Sequence, residues 1–147
     1  MAVVPESWRQ RERPSPAVVA RLTAAGLLVV HGLTHLLWFV PSDSESWPYR
    51  VDGSWLLHEA SVARPVATVL VILTVIGFLL VGLAVAGVHP LGVLWPGLAA
   101  PVATLSLLML VTFWDPRLTF GAVVNVAIAV TAAWWTEWRM THRPDEG

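Results

Sequence analysis

The 147-residue chain contains no cysteine and no lysine, a single tyrosine, and charged residues at only 13% of its positions. The missing cysteine excludes disulfides, thiol nucleophiles and thiolate metal sites. The scarcity of charge, about half the ~25% of a soluble domain, excludes an ordinary water-soluble fold, because so few polar side chains cannot cover its surface. Disorder is excluded from the other side: 56% of the residues are hydrophobic, and a disordered chain has few apolar residues and much charge. The formal net charge is −1 and the nine basic residues, all Arg, are scattered. No nucleic-acid partner is implied.

What the chain has instead is nine Trp and four long apolar runs, at about 17–40, 66–88, 93–114 and 118–138. Each run is 21 to 24 residues, close to the ~20 needed to cross a ~30 Å hydrocarbon core at 1.5 Å per residue. None contains Asp or Lys, and the one Glu, Glu137, is the next-to-last residue of the fourth run. Arg21 stands one turn into the first run, where it can snorkel to the headgroups. The runs are continuous and not alternating, which excludes the strands of a membrane barrel. The first run follows Arg9, Arg11 and Arg13 and so shares the charge pattern of a signal peptide. Its 24 residues exceed the ~7–15 of a signal core, and Trp38-Phe39-Val40-Pro41 stands where a small-residue cleavage site would be. It reads as a retained membrane helix. The organisation is then a polar segment over 1–16, one four-helix transmembrane domain over 17–138, and a polar tail over 139–147.

The connections are unequal. His89–Gly92, with Pro90 and Gly92, and Asp115-Pro116-Arg117 are tight turns, and tight turns make the flanking helices antiparallel neighbours. The first connection, Pro41–Pro65, is 25 residues. Asp52-Gly53-Ser54 is a helix-start signal that would lay Trp55-Leu56-Leu57 on the lipid surface as an interfacial helix. Pro65 then either opens the second spanning helix or kinks a helix running on from Ser54. Arg9, Arg11, Arg13, Arg21, Arg139 and Arg143 fall at one membrane face, and Arg50, Arg64 and Arg117 at the other. Positive charge favours the inside, so the expectation is an all-α, antiparallel four-helix bundle of the inner (plasma) membrane with both termini cytoplasmic. Trp38, Trp47, Trp55 and Trp114 then fall at the outer level, and Trp95, Trp134, Trp135 and Trp138 at the inner one.

With no acid in the interior of the runs, candidate chemistry concentrates on His31 and His35, four apart and on one helical face. That face continues through Leu28, Ala24 and Ala20, and small residues mark close helix contact in membranes. Asn125 lies at similar depth on a stripe of Gly121, Ala129 and Ala133. Asp115 closes the outer end of the third run, one turn after Thr112. His58 and Glu59 precede the second run on the same side. The polar groups therefore converge on the outer half of the bundle.

Three readings of that level stay open. The His pair can hydrogen-bond to Asn125, Asp115 or backbone carbonyls and fix the packing. It can supply two ligands to a metal, with His58, Glu59 or Asp115 completing the set. The pair shares a face, so it cannot provide opposite axial ligands of one haem. Or it can line a pocket for a quinone or lipid, or a proton path. Gly77, Gly82 and Gly87 recur every five residues and do not form one packing face. A small multidrug transporter has the right helix count but would couple protons through a carboxylate deep in the membrane, and no run has one away from its end.

His31-Gly32-Leu33-Thr34-His35-Leu36-Leu37-x-Phe39, Arg64-Pro65, and Phe113-Trp114 followed by Gly121-x-x-x-Asn125 together resemble a group of small, uncharacterised bacterial four-helix membrane proteins. The resemblance runs from Arg21 to about Trp134. Arg21-Leu22-x-x-x-Gly26 with the later His-Gly is also loosely similar to DoxX-like membrane proteins, some linked to respiratory quinol oxidation. The first resemblance implies a four-helix membrane fold and no activity; the second adds weight to the quinone pocket. The expected role is that of a non-enzymatic structural or accessory membrane protein. The alternative is a metal-, haem- or quinone-binding redox component using His31 and His35. The expected surroundings are the lipid bilayer and a membrane-protein partner or a second copy.

Overall fold

A computed structural model describes residues 14–142. The polar segment up to residue 13, with Arg9, Arg11 and Arg13, and the tail from residue 143 lie outside the described residues. Four long helices and no strand are present among the described residues: α1 (Pro16–Thr34), α2 (Ala60–Ala86), α3 (Trp95–Thr112) and α4 (Thr119–Thr141). With the single turns of 3-10 helix that extend α1 (His35–Phe39) and precede α4 (Pro116–Leu118), all four are long and apolar enough to cross a membrane.

Local chemistry sets the ends. Ser15 caps α1, its hydroxyl accepting from the Val18 N–H at 3.3 Å, and Pro16 occupies the first helical position, where its missing N–H costs nothing. α2 ends in a Schellman motif: Gly87 takes φ 88°, its N–H bonds Ala84 O, and the Val88 N–H bonds Leu83 O at 3.0 Å. Arg21 of α1 lies across this end and donates from Nε to the Val85 carbonyl. Instead of only reaching for headgroups, it satisfies one of the carbonyls that every helix C-terminus leaves open.

α2 is the central helix. It packs against α1 on one side and α3 on the other, and α4 packs on α3. Two glycines explain how one helix serves two neighbours. Gly77 faces Val102 of α3, whereas Gly82 faces Val29 and the Ala25 carbonyl of α1. Five residues at 3.6 per turn place them about 140° apart, so the five-residue spacing marks two close contacts on two faces. The buried positions of α2 include Ala63, Ala67, Val71, Thr74, Phe78, Val81 and Ala84, those of α3 Ala99, Ala103, Ser106, Met109 and Leu110. Both sets follow the helical repeat that brings one face against a neighbour.

Two expectations about the first connection are corrected. No interfacial helix forms at Ser54, and α2 starts at Ala60, ahead of Pro65, which lies inside it. Ser54 caps a turn instead of a helix. Its hydroxyl accepts from the Leu57 N–H at 2.9 Å and donates to Thr112 O at 2.7 Å. The Trp55 indole donates to Val111 O at 2.6 Å. The open carbonyls at the end of α3 compete for these groups and hold the connection down across the bundle. Tyr49, Val51 and Leu57 then close over the core formed by Ala63, Val71, Met109, Phe113 and Leu118. Trp38 belongs to that core and not to the lipid interface: it is 3% exposed, with its ring 5.7 Å from Tyr49 and 5.4 Å from Phe113.

The small-residue stripes also need correction. Ala20 and Ala24 are exposed, and α1 is buried along Ala25, Gly32, His35 and Trp38. On α4 the buried pair is Asn125 and Ala132; Ala133 is exposed and Ala129 half-buried. Steps of seven residues, not of four, keep a straight helix on one neighbour over two turns. A four-residue stripe drifts around the axis by about 40° per step.

Candidate functional site

The polar centre sits where α1 changes from α to 3-10 geometry. The Thr34 hydroxyl donates back to His31 O at 2.6 Å, a type of bond that bends helices. The backbone N–H of His35 turns to Gly32 O. This tightening swings the His35 ring inward, to 4% exposure. Its Nδ1 meets His31 O at 3.2 Å and its Nε2 meets Ser106 Oγ of α3 at 2.8 Å. A carbonyl only accepts, so Nδ1 donates. In the neutral ring Nε2 then accepts, and the Ser106 hydroxyl donates to it.

His31 reaches the other way. Its Nε2 lies 3.3 Å from Asn125 Oδ1 of α4, while Asn125 Nδ2 donates to Gly121 O at 2.9 Å. The amide orientation fixed by Gly121 makes His31 Nε2 the donor. Asn125 is fully buried. The Phe78 ring of α2 completes the cluster, edge-on to His31 at 4.9 Å and near-parallel to His35 at 6.1 Å. All four helices meet here: α1 through both His, α2 through Phe78, α3 through Ser106 and α4 through Asn125.

The remaining sequence candidates stand elsewhere. Asp115 precedes the 3-10 turn before α4, where its carboxylate accepts the Arg117 N–H at 2.8 Å and lies 3.5 Å from the Arg117 guanidinium. His58 is exposed at the foot of α2 and Glu59 is its exposed N-cap residue. Among the described residues no three of His, Asp and Glu are grouped as a metal site requires, so the set His31, His35, His58 and Glu59 is not brought together. Ser106 and Phe78 were missed in the sequence. One Ser in an apolar run carries no signal, and the pairing of α1 with α3 that selects it is tertiary.

Two cavities flank the His31–Asn125 bond. Towards the end of the bundle that carries Asp115, a pocket of about 180 Å³ is lined by His31, Thr34, His35, Tyr49 and Arg117. On the other side a larger cavity of about 710 Å³ follows the seam between α1 and α4. Comparison with protein-family models gives no match, and comparisons with curated proteins and with solved structures give none either.

Proposed function

We propose that the chain is a non-enzymatic, multi-pass protein of the inner (plasma) membrane. It serves as a structural or accessory component, with His31, His35, Ser106 and Asn125 as the polar lock of its bundle. The observation that carries this reading is His35. Both of its ring nitrogens are engaged inside the protein, one by a backbone carbonyl and one by Ser106. A metal ligand must offer a free lone pair, and His35 gives one only by abandoning a partner in a region without water. Polar groups in hydrocarbon need such partners, and a network joining α1, α3 and α4 supplies them. Antiparallel helices and cytoplasmic termini complete the proposal, on the strength of the tight turns and the Arg count. Kinship with the small four-helix group rests on the sequence pattern around Gly32, His35 and Asn125.

A second reading is favoured by His31. Its Nδ1 has no hydrogen-bond partner among the described residues, and it borders the 180 Å³ pocket on the Asp115 side. A cavity of ~150 Å³ admits a benzene ring, so a quinone ring is the ligand of matching size.

The test is to purify the protein in mild detergent and record its metal content, optical spectrum and extractable quinone beside those of His35→Gln. Colourless, metal-free protein, with a folded Gln variant, is the expected result. A stoichiometric metal or chromophore that His35→Gln loses would overturn the structural reading. Stoichiometric quinone displaced by a bulky residue at Gly121 would establish the second one.

A further inference from the structure

The seam between α1 and α4 is the loosely packed side of the bundle. Among the described residues the His31–Asn125 bond is the one hydrogen bond that crosses it. Below that bond the 710 Å³ cavity opens, inside the ~300–1,000 Å³ range of small-molecule sites. Its walls are Leu28 of α1, Val85 of α2, Ala99 of α3, and Ala127 and Ile128 of α4. These walls are apolar, as the lining of a hydrocarbon chain must be.

One end of the cavity differs. Arg21, Arg139 and Trp135 lie there together. The Arg139 guanidinium stands over the Trp135 ring at 5.6 Å, and the Trp135 ring is 5.8 Å from Trp95 and 5.6 Å from Trp138. A Trp cluster of this kind marks the headgroup level of a membrane. Neither Arg makes an ion pair among the described residues. The Trp135 indole N–H is buried without an acceptor among them. Three donors and two positive charges thus stand at the headgroup level, at the mouth of an apolar cavity. The lining stripe of α4, Val124 to Arg139, spans about 22 Å of helix at 1.5 Å per residue. That exceeds the ~15 Å of hydrocarbon in one leaflet.

We propose that this cavity is a binding site for an anionic phospholipid. Its phosphate is held by Arg21, Arg139 and the Trp135 indole, and one acyl chain lies along the α1–α4 seam. The charge selects an anion, since Arg pairs with phosphate through parallel N–H bonds. The apolar length behind it selects an amphiphile over a free anion. The site lies on the opposite side of the His31–Asn125 bond from the pocket on the Asp115 side and does not depend on the role of the His pair.

The experiment is native mass spectrometry of delipidated full-length protein titrated with phosphatidylglycerol or with phosphatidylcholine of the same acyl chains. One phosphatidylglycerol should bind about tenfold more tightly than phosphatidylcholine, the scale of one charge-assisted hydrogen bond. Glycerol 3-phosphate should not compete, because it lacks the chain. Arg139→Gln should erase the preference between the two lipids. Ala127→Phe, which fills the cavity from α4, should weaken both; Ala24→Phe reaches the same space from α1 should the first variant fail to fold. Equal binding of the two lipids, competition by glycerol 3-phosphate, or undiminished binding to both filled variants would overturn the proposal. So would a dimer that excludes lipid from the seam.

Discussion

Gly32 of α1 is seated directly against the Phe78 side chain of α2, with no room for a methyl group between them. The contact lies one residue after His31 and three before His35, so it sets how close the polar centre comes to the central helix. A Cβ at position 32 would collide with Phe78 Cβ, which is bonded directly to the backbone and cannot swing away. Gly32→Ala should therefore destabilise the bundle by about 1–3 kcal/mol, the cost of overpacking. Gly26, also in α1, has nothing within 4 Å of an added Cβ. Gly26→Ala should be neutral or stabilising by up to ~1 kcal/mol, from helix propensity alone. Reversible unfolding in mixed micelles by both variants checks the pair, and equal effects would show that α1 does not close on α2 at Gly32.

The hydrogen bond between His35 and Ser106 should show as coupling energy. A double-mutant cycle with His35→Ala and Ser106→Ala should return about 0.6–1.7 kcal/mol, the range found for polar pairs inside membranes. Zero coupling would mean that the two side chains do not share a proton.

On α4 the two neighbouring alanines at 132 and 133 should behave oppositely. Ala132 is fully buried and Ala133 exposed. Ala132→Leu should cost about 1–3 kcal/mol by overpacking, and Ala133→Leu should change stability by less than ~0.5 kcal/mol. The same unfolding measurement decides it, and the reverse order would rotate α4 by about 100°.

The Ser54 hydroxyl holds the first connection to the end of α3, accepting from Leu57 N–H and donating to Thr112 O. Ser54→Ala should cost about 1 kcal/mol and speed proteolysis in the 41–59 connection. Unchanged cleavage kinetics would show that the connection is held by Tyr49, Val51 and Leu57 packing alone.

Insertion can be read with reporter fusions. Fusions after Asp43 and Asp115 should report the outside, and fusions after His89 and Gly147 the inside, as the positive-inside rule requires. A cytoplasmic signal at Asp43 would reverse the orientation.

The amino-acid sequence by itself determined the membrane class, the number of helices and the rough position of each. These follow from run length and from the absence of acids in the run interiors, which act locally and need no neighbour to be known. It also determined that His31, His35 and Asn125 belong to one level, since depth along a helix is a matter of counting residues. Only the tertiary structure decided which face of each helix turns inward. A membrane helix is apolar all round, so it lacks the polar stripe that marks the outer face of a soluble helix; of the small-residue stripes, Ala20 and Ala133 are exposed and Ala24 lines the α1–α4 cavity instead of packing closely. Tertiary structure likewise selected Ser106 as the partner of His35, divided Gly77 and Gly82 between two neighbours, and drew Ser54 and Trp55 away from an interfacial helix. In each case the partner is a group on another helix, and which groups meet depends on how the helices pack, not on the spacing of residues within any one of them.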